Sequence, residues 1–143
     1  MELAIREAVA AGERGEVPVG AVVVRDAAVV GSAGNRTREF NDPTAHAELL
    51  ALREACGNLE QERLEGCDLY VTLEPCTMCA AAISFARIRR LYFAAEDAKG
   101  GAVISGVRFF SSPTCHHAPD IYPHIGDGEA SRLLKSFFAA RRG

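Results

Sequence analysis

Three short stretches carry the residue types of metal chemistry: His46-Ala47-Glu48, Pro75-Cys76 and Cys79. Cys76 and Cys79 stand three apart where the pattern predicts a helix, so both sulfurs fall on one face. They lie in its first turn, where unpaired N–H groups and the helix dipole favour thiolate, the form that binds zinc. His46, in the predicted first turn of the preceding helix, supplies a neutral imidazole nitrogen. Two thiolates and one imidazole leave the fourth tetrahedral position of a zinc ion to water, the arrangement of a catalytic rather than a structural site. Glu48, two residues from His46, projects to another side of the helix and is free to reach that water or the substrate. Zinc lowers the pKa of its water to about 7, and a carboxylate beside it takes the proton and delivers it elsewhere. The implied chemistry is hydrolysis.

Each piece also has a plainer reading. Cys-x-x-Cys alone describes a redox pair as well, although such a pair does not require His-x-Glu upstream. A structural zinc needs a fourth ligand, and Cys56, Cys67, Cys115, His116 and His117 have no tight spacing with the rest. A core cysteine or a capping histidine is the ordinary role of any one of these residues. Only their joint occurrence argues for a site.

The elements that must position them follow from periodicity and breakers. Helix-spaced Leu3, Ile5, Ala8 and Val9 predict a helix from Met1 to about Glu13, ended by Gly12 and Gly15. Val17–Arg25 is β-branched and apolar and predicts a strand, with Ala28–Ser32 as its hairpin partner. A polar loop, Asn35–Asp42, leads to a helix over Ala45–Ala55, capped by Asn41 or Asp42, with Pro43 at its start and Gly57 at its end. Asp68–Leu73, Cys76–Ala86 and Arg90–Ala95 read as strand, helix and strand, the pattern of a right-handed parallel crossover. From Gly100 to Gly128 three prolines loosen the pattern, Val107–Phe110 reads as a short strand, and Glu129–Arg142 regains helical spacing. One α/β domain over residues 1–143 accounts for the whole sequence.

Composition narrows the function classes. A chain with 48% hydrophobic and 24% charged residues is globular rather than disordered. The longest apolar stretch, near Ala80–Phe85, is far short of a membrane span, and the first turns carry Glu2, Arg6 and Glu7 instead of a signal-peptide pattern. Five cysteines, an odd number, with no secretory signal imply reduced thiols and a cytoplasmic setting. The net charge of −3 argues against gripping nucleic acid through bulk charge and leaves only a local basic surface. Arginine makes up 14 of the 16 cations, and Arg89, Arg90, Arg141 and Arg142 are the candidates for such a surface.

H-x-E followed by P-C-x-x-C, set in EVPVGAVVV, GNRTREFNDPTAHAELLALR, LYVTLEPCTMCAAAI and AEDAKGGA, resembles the bacterial tRNA-specific adenosine deaminases of the zinc-dependent cytidine/deoxycytidylate deaminase superfamily. The resemblance runs from about Glu16 to Ser105 and resumes at LLKSFFAARR. It implies a three-layer cytidine-deaminase-like fold, a mixed five-stranded sheet flanked by helices, and a homodimer whose partner helps form the RNA groove. His46, Cys76 and Cys79 would bind one zinc and Glu48 would shuttle protons. Asn35 would hydrogen-bond the flipped base, Ala47 would offer its backbone N–H near the ring, and Asp97 would contact the nucleic acid backbone. The implied activity is deamination of adenosine to inosine at the first anticodon position of tRNA. A deaminase of a free base such as guanine or cytosine, and a non-enzymatic zinc-stabilised module, stand as alternatives. Two departures touch the RNA-facing side: Pro119 and Pro123 interrupt the segment before the last helix, and no longer basic tail follows Arg142-Gly143. Proline cannot donate to a ladder, so any strand there is short or confined to an edge.

Overall fold

The computed structural model describes residues 1–142, with the side chain of Arg142 outside that description. The elements run α1 (Glu2–Glu13), β1 (Gly20–Arg25), β2 (Ala28–Gly34), α2 (Ala47–Leu59), β3 (Asp68–Leu73), α3 (Thr77–Ala86), β4 (Arg90–Ala95), a 3₁₀ turn (Phe109–Ser111), β5 (Asp120–Tyr122) and α4 (Asp127–Arg142). The five strands form one mixed sheet in the order β2-β1-β3-β4-β5. β1 is antiparallel to both β2 and β3, whereas β3, β4 and β5 run parallel. This is the three-layer, cytidine-deaminase-like architecture expected from the resemblance.

Alternation along the strands sorts the two faces. Ala21, Val23, Leu69, Val71, Leu91 and Phe93 point one way and pack with Ala51, Leu52, Ala55 and Ile83 of α2 and α3 into the main core. On the other face Gly20 passes directly beneath α1, where an added Cβ would sit 2.0 Å from the carbonyl oxygen of Ala4, so only glycine lets helix and strand approach this closely. Ala94 on that face meets Ala130 of α4. Helices therefore cover both faces, which is why the parallel strands β3 and β4 read as nearly continuous apolar runs.

Four local expectations are corrected. The strand predicted from Val17 begins at Gly20, and Val17 and Val19 instead line a pocket. α2 is not capped by Asn41 or Asp42: Asp42 Oδ1 closes a turn by accepting the N–H (2.8 Å) and hydroxyl (2.7 Å) of Thr44, and the N-cap is His46. α2 also runs past Gly57 to Leu59, ending on Glu60 in the left-handed region at φ 53°. Val107–Phe110 forms no strand; the chain tightens into the 3₁₀ turn after Arg108, itself at φ 46°. The prolines act as expected: β5 is three residues long, lies between Pro119 and Pro123, and occupies the sheet edge. Among the described residues no helix is long and apolar enough to cross a membrane.

Candidate active site

The site lies at the carboxyl ends of the parallel strands β3 and β4, where loops diverge and leave room for a ligand. Two helix N-termini converge there. His46 is the N-cap of α2 and Cys76 the N-cap of α3, each one step earlier than the first-turn positions expected from sequence. Cys79 follows in the first turn of α3 and is fully buried. His46 Nδ1 lies 3.7 Å from Cys76 Sγ and 3.5 Å from Cys79 Sγ. A tetrahedral zinc with Zn–S of about 2.3 Å and Zn–N of about 2.0 Å sets its nitrogen and sulfur ligands about 3.5 Å apart. The donor set fits zinc in both chemistry and spacing. No other cluster of three metal-capable side chains occurs among the described residues.

The electrostatics of the three are interdependent. Cys76 is lowered to about 4 by the hydrogen bond from Cys79, with a further bond from His46, against the opposing effect of burial. The same contact with Cys76, reinforced by burial, pushes the Cys79 thiol far up. The sulfur pair thus holds one thiolate ready, and a cation binding both sulfurs must displace the second proton. His46 is raised, chiefly by its hydrogen bond with Cys76.

Glu48 sits in the first turn of α2 and is 4% exposed, yet it lines the same pocket as His46 and Cys76. Burial pushes its carboxyl up to about 7. A group poised there accepts and returns a proton near neutral pH. The pocket holds about 670 Å³ and is mostly apolar, with Val17, Val19, Leu73, Leu134 and Phe138 among its walls. That is ample for a nucleobase and its sugar.

Asn35, at the end of β2, lines this pocket, but its Oδ1 accepts the Ala47 N–H at 2.8 Å. The Ala47 N–H, expected to lie near the ring, is paired with Asn35 in this structure. The pairing fixes the Asn35 side chain at the pocket wall. Asp97 stands at the rim, where its Oδ1 accepts the N–H groups of Lys99 (3.2 Å) and Gly100 (2.9 Å) and shapes the turn that borders the pocket.

Sequence reasoning missed two buried carboxylates that hold the walls. Glu16 accepts the N–H groups of Arg38 (3.1 Å) and Glu39 (2.9 Å) and so pins the loop between β2 and α2. Glu74, 2% exposed, accepts from the backbone of Asp97, Val103, Ile104 and Ser105 and from the Ser105 hydroxyl, all between 2.9 and 3.0 Å. The signal was an acid flanking an apolar run, Glu16 before Val17 and Glu74 directly after β3. A third omission is α4, whose Leu134 and Phe138 close one side of the pocket although they stand some sixty residues beyond the cysteines in sequence.

Glu74 gives a direct prediction. Burial raises its pKa, but the N–H donors of Asp97, Ser105 and Val103 outweigh it and hold the carboxyl below its ordinary 4.5. A depressed folded pKa contributes stability above the unfolded value that is lost as pH falls through the folded one. Glu74→Gln turns an NH₂ group toward donors and should cost about 2 kcal/mol or more at pH 7 in urea unfolding. The gap between variant and wild type should narrow as the pH drops below 4.5. An unchanged unfolding midpoint would show that the loop is held by something else.

Fold, donor set and buried carboxylate together define a class, and residues 1–95 match the family model of the cytidine and deoxycytidylate deaminase zinc-binding region. Within that class, the chain is 66% identical over 142 residues to a tRNA-specific adenosine deaminase of Agrobacterium fabrum, covering 99% of this chain and 93% of the relative. A solved structure from work on A-to-I editing by tRNA:A34 deaminases matches with a TM-score of 0.93 and 68% identity, over 94% of this chain and 97% of that one. Guanine deaminase from Bacillus subtilis matches less well, at a TM-score of 0.67 and 32% identity, over 99% of this chain and 91% of that one. The chain belongs to the family of bacterial tRNA-specific adenosine deaminases.

Proposed function

We infer that this chain converts adenosine to inosine at the wobble position of tRNA, with release of ammonia. The observation that carries the reading is the match at 68% identity and TM-score 0.93 to a structure from work on tRNA:A34 deaminases, against 32% and 0.67 for the guanine deaminase. His46, Cys76 and Cys79 hold one zinc per chain, which when bound makes water nucleophilic at neutral pH. In the net reaction water oxygen bonds to C6, the C6–N bond breaks and the amino group leaves as ammonia. Glu48 carries the protons: its carboxylate takes one from water, gives it to the ring nitrogen N1, and serves the leaving amine in the same way. Asn35 Nδ2 orients the base. Asp97 faces the sugar of the bound strand, since a carboxylate accepts from a ribose hydroxyl but repels a phosphate. A splayed loop base suits the pocket because little stacking is lost in extruding it.

The whole of 1–143 serves as one deaminase domain. It acts in the cytoplasm, in keeping with five cysteines that are all free. It works as a homodimer, for which strongly exposed apolar side chains such as Phe85 of α3 (73%) and Val107 (65%) are available. The test of function is incubation with synthetic anticodon stem-loops followed by nucleoside analysis. Inosine should form when adenosine stands first in the anticodon and not when guanosine does. Deamination of free guanine or cytosine, with no inosine in any RNA, would transfer the chain to free-base chemistry.

A further inference from the structure

The arginines first expected to meet RNA do not all lie where RNA would arrive. Arg89 and Arg90 flank the start of β4, at the opposite end of the sheet from the pocket. Both are drawn to Asp68, at 3.0 and 3.9 Å respectively. Six residues of strand place that end about 20 Å away from the site. The side chain of Arg142 lies outside the described residues. A chain of net charge −3 that binds a polyanion must still concentrate cations near its pocket.

It does so elsewhere. Arg14 caps the C-terminus of α1, Arg38 lies in the loop between β2 and α2, and Arg141 is in the last turn of α4. All three are exposed. Arg38 and Arg141 both donate to the carbonyl oxygen of Gly15, at 3.3 and 3.0 Å, although Gly15 and Arg141 are 126 positions apart in sequence. Arg14 donates to the carbonyl oxygen of Asn35 at 3.2 Å. Gly15 has φ +86°, a conformation that favours glycine, at the turn on which two guanidiniums meet. The Arg141 guanidinium also lies 4.2 Å above the Phe137 ring.

None of the three forms an ion pair among the described residues, whose pairs are Arg36–Glu39, Arg89–Asp68, Arg90–Asp68 and His124–Asp127. Of the acids near them, Glu16 and Glu39 are otherwise engaged. Glu16 points inward to the backbone of Arg38 and Glu39, and Glu39 is held by Arg36 at 2.7 Å. Each guanidinium spends a single N–H on a carbonyl, which fixes it, and keeps its remaining donors. The cluster borders the pocket: Asn35, Thr37 and Phe138 line it, and these are bonded to Arg14, adjacent to Arg38, and one helical turn from Arg141.

We propose that Arg14, Arg38 and Arg141 form a phosphate cradle that grips the RNA backbone beside the deamination pocket, an inference that rests on the tRNA reading above. Bidentate guanidinium forks match phosphodiester oxygens, and prior fixing by carbonyls and by Phe137 lowers the cost of ordering them on binding. The base then enters the apolar pocket while the adjoining phosphates rest on α1, the β2–α2 loop and α4.

The experiment measures binding of a synthetic anticodon stem-loop against salt. The probes are wild type, Arg14→Gln/Arg38→Gln/Arg141→Gln, the same three changed to Lys, and Arg63→Gln near the start of β3, at the far end of the sheet. Each single-strand phosphate contact contributes about −0.7 to the slope of log K against log salt, so the Gln triple should flatten it by about 2 and weaken binding at low salt by tenfold or more. The Lys triple should keep most of the slope, and Arg63→Gln should keep all of it together with wild-type single-turnover deamination. Thermal melts of each variant establish that it is folded. An unchanged slope in a folded Gln triple, or an equal loss in Arg63→Gln, would overturn the cradle while leaving the tRNA reading intact. Failure of the wild-type chain to bind or edit the RNA would overturn both.

Discussion

Glu48→Gln should reduce turnover about 10²–10⁴-fold, or further if the group acts in more than one step, with zinc content and melting temperature close to wild type. The expectation follows from where the side chain sits. Glu48 is 4% exposed, beside His46 and Cys76 at the floor of the pocket, and burial lifts its carboxyl to about 7. Glutamine keeps the volume and one acceptor oxygen, so packing should tolerate it. It removes the function the proposed mechanism assigns to Glu48, the exchange of a proton between water, N1 and the departing amine. A loss of 10²–10⁴ corresponds to about 3–5 kcal/mol of transition-state stabilisation. The informative readouts are single-turnover rate, RNA affinity and metal content measured together. RNA affinity should hold, because in the proposed mechanism Glu48 meets the base and not the backbone. Near-normal turnover would assign the proton transfer to another group. Loss of metal would make Glu48 a ligand and undo the three-ligand arrangement.

That site was legible in the sequence because its chemistry is local. His46 and Glu48 are two apart, Cys76 and Cys79 three apart, and the only tertiary assumption needed was that two helix starts face each other. The structure shows that they do, with a one-step shift: both His46 and Cys76 are N-caps. The strands β3 and β4 were legible to the residue, since Asp68–Leu73 and Arg90–Ala95 are apolar runs ended by turn or charge signals. The walls of the pocket were not. Glu16 and Glu74 act through backbone N–H groups more than twenty residues away, and backbone donors carry no sequence signature. Phe138 reaches the pocket only because α4 folds back across β4, a long-range contact that helical periodicity does not report. The arginine surface was only partly legible for a related reason. Clustering in sequence singled out Arg89, Arg90, Arg141 and Arg142, and of these Arg141 converges in space with Arg14 and Arg38.

The second large effect concerns metal content. Purified protein should carry one zinc per chain, and Cys76→Ala or Cys79→Ala should each remove it together with all measurable deamination. With three protein ligands, deleting one leaves a two-ligand site, and water cannot replace a thiolate in affinity. The two variants should nevertheless differ in stability. Cys79 is fully buried in the first turn of α3, so its removal also leaves a small void in the layer between α3 and the sheet. Cys76 is half-buried at the N-cap, and its truncation costs little packing. Cys115 provides the comparison: its thiol donates to the carbonyl oxygen of His117 at 3.1 Å and lies 3.6 Å from Ser84 Oγ, away from His46. Cys115→Ala should therefore keep both zinc and turnover. Metal analysis of the three variants, paired with thermal melts, separates loss of a ligand from loss of fold. Full zinc in either Cys76→Ala or Cys79→Ala would place the ion elsewhere. Zinc lost from Cys115→Ala as well would mean that binding depends on the fold as a whole and not on this trio of donors.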